Sequence, residues 1–582
     1  MSRYFFLFIF VSIVSSVYCQ DVNEDIKTQQ ITVSKSYAPE LININKIRSV
    51  TTDNDMLKSN KVTVTYELID APVVSTFKPN KASPLRLKRN NNTEPGFGGY
   101  FDFGLGNKGQ LTLDFSTHIN IDRSQSIGID LINTNYGEFN STQISSAESR
   151  FIFGMNHIHS SKKMEVVHKI SLNQHKINFY GINEESSVLS DPLLLTRINS
   201  GQTRNSINFL SNWRFYNTFL KGAMLDVNFI TDSYSSKEEI IDFKIDFLIP
   251  VFRMNLLMVP KISHVKTFFK ENYFDRINIK SFYTKLETSI LLSSIEDKFK
   301  YQLGGRINYL LNQSNIAVAD FLISPKVMIS YGVNGSKFQP YLTIDGGIEI
   351  NNYSSFSALN PYIAPSLSMV PTESIYDAKL GFKSSFDYGL KMNFGTYLKK
   401  EINSPVFKRF AYDPSVVDQG YRLANSFGVI YDDIKQYGLF GEMSINFYKE
   451  NFFKISLLQS NYDLDKISHP WNLPNIQGSM VMDLKLLKKL RINISARYIG
   501  KRPSVYNQVF LNQLPEDSPA ELKILPSISQ IKTEINYKLI SRWQMYLRSQ
   551  LNIGLVNSQW DHYLLNKNLI LAGVRYGFDL TF

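Results

Sequence analysis

The chain ends in Val574-Arg-Tyr-Gly-Phe-Asp-Leu-Thr-Phe582, and the alternation in this stretch decides the fold. Successive side chains of a β-strand point to opposite faces. Val574, Tyr576, Phe578, Leu580 and Phe582 therefore share one face, and Arg575, Gly577, Asp579 and Thr581 share the other. A strand that is apolar on one side and polar on the other needs neighbours of the same pattern, because its backbone N–H and C=O groups point sideways.

Those neighbours precede it. Ile531, Thr533, Ile535, Tyr537 and Leu539 oppose Lys532, Glu534, Asn536 and Lys538. Trp543, Met545, Leu547, Leu551 and Ile553 oppose Gln544, Arg548, Gln550 and Asn552. The scheme recurs as far back as Leu111, Leu113 and Phe115. Many segments run to about nine residues or more, enough to cross a bilayer at a tilt, whereas soluble strands average about five or six. The polar faces carry charges of both signs, which suits a wet lumen. Connections also differ in length. Leu487 to Lys489, Tyr448 to Asn451 and Ile540 to Arg542 are tight, while Asn352 to Ser374, Glu401 to Gly420 and Pro503 to Pro526 are long. That asymmetry is expected of periplasmic turns against surface loops.

Composition agrees. Hydrophobic residues make up 43% of the 582 positions and charged residues 20%, with 32 Tyr and 41 Phe. Beyond the start of the chain no apolar run approaches the ~18 residues of a membrane-spanning helix. In hydrocarbon only helices and closed barrels satisfy every backbone group. The expected fold class is thus all-β, a transmembrane antiparallel β-barrel over residues 96–582 with a short N-terminal extension. Such barrels have even strand numbers; the segmentation favours 22 strands, with 20 as the alternative.

The start of the chain reads as a secretory signal over residues 1–19. Arg3 precedes the apolar run Tyr4 to Val14, and cleavage is expected between Cys19 and Gln20, with Val17 and Cys19 at the small-residue positions. The alternative makes Cys19 a lipidated first residue, against which the bulky Tyr18 counts. Residues 20–95 form a periplasmic or luminal segment, closed by the linker-like KRNNNTEPGFGG. Removal of Cys19 leaves no disulfide, thiol nucleophile or cysteine metal site. The net charge of +11 is dispersed along alternating segments and not gathered on one helix, which argues against a nucleic-acid partner.

Motifs that suggest chemistry dissolve in this context. Gly104 to Gly109 matches GxGxxG, but no helix follows to face a pyrophosphate, and Asn107-Lys108-Gly109 reads as a hairpin turn. His157 and His159 continue the parity of Phe151, Phe153 and Met155, and so belong to an interfacial or loop position instead of a metal site. No GxSxG or HExxH occurs. The expectation is a non-enzyme with no cofactor, its carboxylates facing lysines along the lumen.

The terminal aromatics Tyr576, Phe578 and Phe582, with Leu580, resemble the signal read by the barrel-assembly machinery. Four stretches resemble TonB-dependent receptors of Bacteroidota: GFGGYFDFGLGN (96–107), NPYIAPSLSMVPTESIYDAKLGFK (360–383), WNLPNIQGSMVMDL (471–484) and WDHYLLNKNLILAGVRYGF (560–578). The resemblance implies a 22-stranded barrel integral to the outer membrane of a Gram-negative bacterium, in contact with lipid and lipopolysaccharide, importing a nutrient with TonB or another envelope protein as partner. The family's plug is longer and richer in glycine than residues 20–95, and no clear TonB box is present. Two readings follow: a receptor or channel for a nutrient, or a barrel plugged by its own loops and N-terminal segment that serves as a scaffold or subunit of an envelope complex, with a passive channel as a further alternative.

Overall fold

Strands form where the sequence alternates. The computed structural model describes residues 97–582, apart from 139–142, 183–188, 190–191, 295–297, 313–319, 333–336, 387–388, 411–418, 449, 507–520, 555–557, 566–567 and 581–582. Cys19, Gln20, the segment 20–95 and Phe582 lie outside the described residues.

In chain order the strands are β1 (Gly99–Gly106), β2 (Leu111–Asn120), β3 (Gln125–Tyr136), β4 (Glu148–Ser160), β5 (Met164–Asn178), β6 (Gly201–Phe215), β7 (Leu220–Asp232), β8 (Lys237–Val251), β9 (Met254–Phe269), β10 (Ile279–Ser294), β11 (Phe299–Asn312), β12 (Phe321–Tyr331) and β13 (Gln339–Glu349). There follow β14 (Thr372–Ser385), β15 (Leu390–Arg409), β16 (Phe427–Phe447), β17 (Asn451–Leu464), β18 (Ile476–Leu487), β19 (Leu490–Ile499), β20 (Arg502–Tyr506), β21 (Glu521–Leu525), β22 (Ile528–Lys538), β23 (Trp543–Ile553), β24 (Ser558–Trp560), β25 (Tyr563–Leu564) and β26 (Asn568–Phe578). Short helices are α1 (Pro192–Arg197) and α2 (Tyr353–Leu359).

Twenty-two of these strands form one antiparallel sheet. Each pairs with its neighbour in sequence, and β26 pairs back onto β1, so the sheet is a closed barrel without edges. The pairs β20–β21 and β24–β25 are separate hairpins within long connections. The expected class and the count of 22 both hold.

The parity expected from sequence sets the two faces. Phe101, Leu105, Leu547, Leu551 and Ile570 are exposed on the outside, whereas Asp102, Tyr546 and Leu571 are buried within. Tyr576 and Phe578 take the outward parity: Tyr576 packs on Trp543 at 4.8 Å and Phe578 on Phe115 at 5.8 Å between ring centroids. Leu580 follows the strand and is 40% exposed. Across β1–β2 the GxGxxG stretch is the tight hairpin its residues suggested, with Lys108 and Gly109 both at positive φ (56° and 64°).

The two rims differ as the connection lengths implied. One rim carries turns such as 161–163, 252–253, 448–450, 488–489 and 539–542. The other carries 137–147, 179–200, 350–371, 410–426, 465–475, 500–527 and 554–567. One connection differs from expectation: residues 401–409, read as the start of a loop, continue β15, which runs for 20 residues beside the 21 of β16. A register shift between Glu401 and Ser404 breaks the alternation there. A bulge inserts an unpaired residue and so hides a strand from a period-2 reading.

Candidate functional site

The long connections turn inward, and loop 350–371 leads them. Its base is tied by Asn351, whose Nδ2 donates to Val370 O at 2.7 Å and to Thr372 Oγ1 at 2.8 Å. Asn352 caps α2 by accepting from Ser355 N at 2.7 Å, a favoured N-cap. Pro361 follows the C-cap Asn360 and cannot continue the helix.

The inner wall of the barrel holds this loop by polar contacts. The Glu238 carboxylate, 1% exposed on β8, accepts from Tyr353 N (2.7 Å), Ser354 N (2.9 Å) and Thr267 Oγ1 (2.8 Å). Tyr353 Oη donates to Asp232 Oδ2 at 2.9 Å and accepts from Gln202 Nε2 (2.8 Å) and Arg204 Nε (3.1 Å). Arg204 also donates to Pro361 O at 2.6 Å. On β10, Tyr283 Oη donates to Met369 O at 2.7 Å. Strands β6 to β10 thus grip one loop from one side of the lumen.

Apolar side chains complete the grip. Tyr353, Phe356, Ile363, Leu367 and Met369 join Tyr180, Phe269, Leu423, Phe427, Trp560 and Tyr563 in a single buried cluster. Tyr362 stacks on Tyr563 with centroids 3.5 Å apart, and Tyr180 meets both edge-on. Burying each large side chain contributes roughly 1.5–3 kcal/mol, so the mouth contains a packed core of its own. Ile363 bridges in parallel to Phe427 at the start of β16.

Three ion pairs tie further loops to this core. Arg422, fully buried, donates to Glu271 Oε2 at 3.0 Å and to Tyr273 O at 2.8 Å, with its guanidinium over the Tyr273 and Tyr421 rings. Asp561, 2% exposed at the side chain, takes Arg409 Nη1 at 3.0 Å and Lys523 Nζ at 2.7 Å. Burial opposes ionisation of Asp561, but Arg409, His562 and Lys523 outweigh it and hold the carboxyl below its ordinary value. Burial and the Arg409 charge push neighbouring His562 down to about 4. Burial, aided by Glu148 and opposed by the Tyr362 hydrogen bond, pushes Tyr180 up to about 12. Tyr180 and His562 are therefore neutral and Asp561 ionised at neutral pH.

Below the core the inner wall is polar. Charges of opposite sign pair along and across strands: Lys261–Asp242 (3.0 Å), Arg306–Glu287 (3.2 Å), Lys454–Glu442 (2.9 Å), Arg491–Asp483 (2.6 Å) and Arg548–Glu534 (2.6 Å). These are the lumen charge ladders read from the alternation. A recess of about 620 Å³ is lined by Asn393, Glu442, Ser456, Gln477, Arg497 and Lys532. A second, of about 360 Å³ near the short-turn rim, gathers Lys485, Lys488, Lys489, Arg491, Lys538 and Arg575. The second offers mainly hydrogen bonds and charge to a polar solute, whereas Phe440, Leu458 and Val481 share the lining of the first. Among the described residues no group of three or more His, Cys, Asp or Glu is placed to hold a metal ion. His157 stacks on His168 at 6.0 Å on the outward parity, three residues from the end of β4.

The sequence pointed to the loops that build this site but not to the residues that fasten it. Glu238, Asp232 and Arg204 sit in ordinary alternating strands, and only the fold shows that their rows end under α2. The one available signal was the apolar run Tyr362-Ile-Ala-Pro-Ser-Leu-Ser-Met-Val370 in a loop, since apolar loops are buried ones.

No family model and no curated relative matches the sequence. Solved structures do match. The siderophore receptor PirA from Acinetobacter baumannii aligns at 11% identity and TM-score 0.59, over 82% of this chain and 80% of that one. The pyoverdine outer membrane receptor FpvA from Pseudomonas aeruginosa aligns at 12% and 0.59, over 83% and 79%. The FrpB iron transporter from Neisseria meningitidis aligns at 9% and 0.59, over 84% and 82%. At these identities the likeness is one of fold: this chain is built on the barrel that those receptors share.

Proposed function

We propose that this protein is an outer-membrane receptor that transports a nutrient through its barrel, with the long-loop rim facing outward. The observation that carries the reading is the join between a loop core packed into the mouth and a polar, charge-paired lumen beneath it. A bilayer covers the exposed apolar belt of the outer wall, and a loop core over a wet lumen suits a gated passage. The neighbours named for siderophores and iron suggest chelated iron as the first substrate class to try. TonB, or another envelope protein, remains the proposed energy-coupling partner on the strength of the sequence resemblance.

The test is growth of a deletion strain with iron supplied only as ferric chelates, complemented with wild type or with a variant lacking residues 352–370. Wild type should restore growth and the variant should not. Equal growth of all strains, on chelates and on a wider nutrient panel, would overturn the reading. Labelling of Asp275→Cys by an impermeant maleimide on intact cells tests the orientation separately.

The packed mouth also favours a second reading, a subunit of an envelope complex. Affinity purification from native membranes separates the two, because a transporter of this kind should be recovered without a stoichiometric surface partner.

A further inference from the structure

Arg497 on β19 stands opposite Gln530 of β22, and Lys532 of β22 stands opposite Ser495 of β19. The two cations are therefore diagonal neighbours on the lumen face, about 7–8 Å apart at the backbone and within reach of each other's long side chains. Both are exposed, and among the described residues no acid lies within ion-pair distance of either. Lower on the same wall the cations are matched: Arg491 has Asp483 and Arg548 has Glu534, each at 2.6 Å. A third unmatched cation lies beyond the long-loop end of β19. Arg502 is 3% exposed and donates to the carbonyls of Gly500 (3.1 Å), Ser558 (2.9 Å) and Gln559 (3.4 Å), while its Nε has no partner. Burial, and then the charge of Arg497, bring its pKa down to about 10.

Arg497 and Lys532 both line the lumen recess of about 620 Å³. Its one carboxylate, Glu442, is already taken by Lys454 at 2.9 Å. Phe440, Leu458 and Val481 give the recess an apolar wall, and Val481 is 42% exposed to the lumen. The recess also leads onward. Val481, Ser495 and Lys532 line a neighbouring recess of about 410 Å³, which shares Asn493 and Glu534 with the basic recess at the short-turn rim. This column runs down β18, β19 and β22, nearly half-way round the ring from β8, whose Glu238 fastens α2. The wall that grips the loop is thus not the wall that carries the column.

We propose that Arg497 and Lys532 form a lumen site for an organic anion, a carboxylate or phosphate group carried on a partly apolar body. The anionic oxygens bridge the guanidinium and the ammonium and relieve their mutual repulsion. Arg497 presents the planar fork that takes two such oxygens at once. The body of the solute lies along Phe440, Leu458 and Val481, and covered Arg502 adds its positive field from above. From here the anion descends past Arg548 to Arg491, each partly neutralised by its own acid. A row of such weaker stations lets a bound ion leave as well as enter. As a station on a passage the site rests on the transport reading; as an anion site it stands without it.

The test is isothermal titration of full-length protein in a non-ionic detergent, with N-acetyl-tryptophan as probe and its uncharged amide as control, each corrected for detergent alone. Wild type should bind the acid at least tenfold more tightly than the amide. R497Q/K532Q should lose that preference, and R497K/K532R, which keeps both charges, should retain it. Inorganic phosphate should bind wild type more weakly than the acid, having no body to lay on Phe440. No saturable binding of the acid to wild type, equal affinity for acid and amide, or unchanged binding by R497Q/K532Q would overturn the proposal. Phosphate binding as tightly as the acid would reduce the site to a bare charge pair and overturn the organic-anion assignment. Heat-modifiable migration on gels reports folding of each variant, and Arg497→Gln alone serves if the double variant fails to fold. Binding intact without any uptake phenotype in the deletion strain would sink only the transport reading. Uptake unchanged in R497Q/K532Q, with binding lost, would sink only the place of the site on the path.

Discussion

Asp102 of β1 and Arg575 of β26 are register partners at the seam where the last strand meets the first, and their side chains meet inside the lumen. Arg575 Nη2 donates to Asp102 Oδ2 at 2.6 Å and Nε donates to the same atom at 2.9 Å. Tyr546 Oη on β23 donates to Oδ1, and Arg548 Nη2 lies 3.5 Å from Oδ2. The Asp102 side chain is 1% exposed. Closing a barrel brings together strands from opposite ends of the chain, and a buried carboxylate serving two arginines and a tyrosine specifies which strands join.

Asp102→Ala should therefore weaken closure more than any single outward leucine. Breaking a fully buried pair by removing one partner costs about 3–5 kcal/mol; the cost here is smaller, because Arg575 is 28% exposed and Arg548 keeps Glu534 at 2.6 Å. The expected outcome is a lower temperature for conversion of the folded gel band to the unfolded one, with Asp102→Asn intermediate. An unchanged conversion temperature in Asp102→Ala would show that the backbone register closes the seam unaided.

The barrel was legible because it is periodic, and the site was not because it is tertiary. Ile531 to Leu539 announces β22, and Val574 to Phe582 announces the closing strand, from spacing alone. Nothing local distinguishes Glu238 from the lumen carboxylates that pair with lysines. Its role appears only when loop 350–371, more than a hundred residues later, lays Tyr353 and Ser354 against it. Arg422 and Glu271 meet the same way, across 151 positions. The bulge after Glu401 erased periodicity locally, and there the sequence reading took strand for loop.

Glu238→Gln tests the fastening of α2. The carboxylate accepts three hydrogen bonds, and an amide presents a donor to at least one of those donors. A buried polar group left unsatisfied costs about 1–3 kcal/mol, enough to raise the population of a released loop roughly five- to a hundredfold. Faster cleavage by protease within 350–371, and larger single-channel conductance in planar bilayers, are the expected readings. Wild-type cleavage and conductance in both Glu238→Gln and Tyr353→Phe would mean that the apolar core alone retains the loop.

Arg422→Met should detach loop 410–426 from loop 270–278. It leaves the carbonyls of Asn272 and Tyr273 without this donor, and Glu271 without its ion pair, though Gln419 Nε2 still donates to Glu271 Oε2 at 2.9 Å. The double variant Arg422→Met/Glu271→Leu should recover part of the loss, since replacing both partners of a buried pair is far milder than removing one. Hydrogen exchange at 270–278 reads this directly. Equal exchange in the single and double variants would show that the carbonyl contacts, and not the Glu271 pair, carry the attachment.

The mouth should also loosen in acid, through His562. Its ring is 16% exposed, with Nε2 3.5 Å from Asp561 Oδ2. Burial and Arg409 nevertheless bring its pKa from 6.5 to about 4. The packed mouth therefore keeps the imidazole neutral where a released loop would protonate it. The released state binds more protons between those two values, so packing weakens as pH falls from 6.5 to about 4 and the loss is complete below that. At ~1.36 kcal/mol per pH unit the whole effect is about 3 kcal/mol at most. Asp561 acts lower: its depressed carboxyl contributes above the ordinary value of 3.8, and that contribution is lost only as pH falls through the depressed one. Trp560, 8% exposed and packed on Phe407 and Phe427, is the reporter. Its acrylamide quenching, taken as wild type minus Trp560→Phe, should rise between pH 6.5 and 4. His562→Asn should remove that rise, since asparagine tolerates the positive φ of 62° found there. A flat wild-type profile, or the same slope in His562→Asn, would remove the histidine from the account.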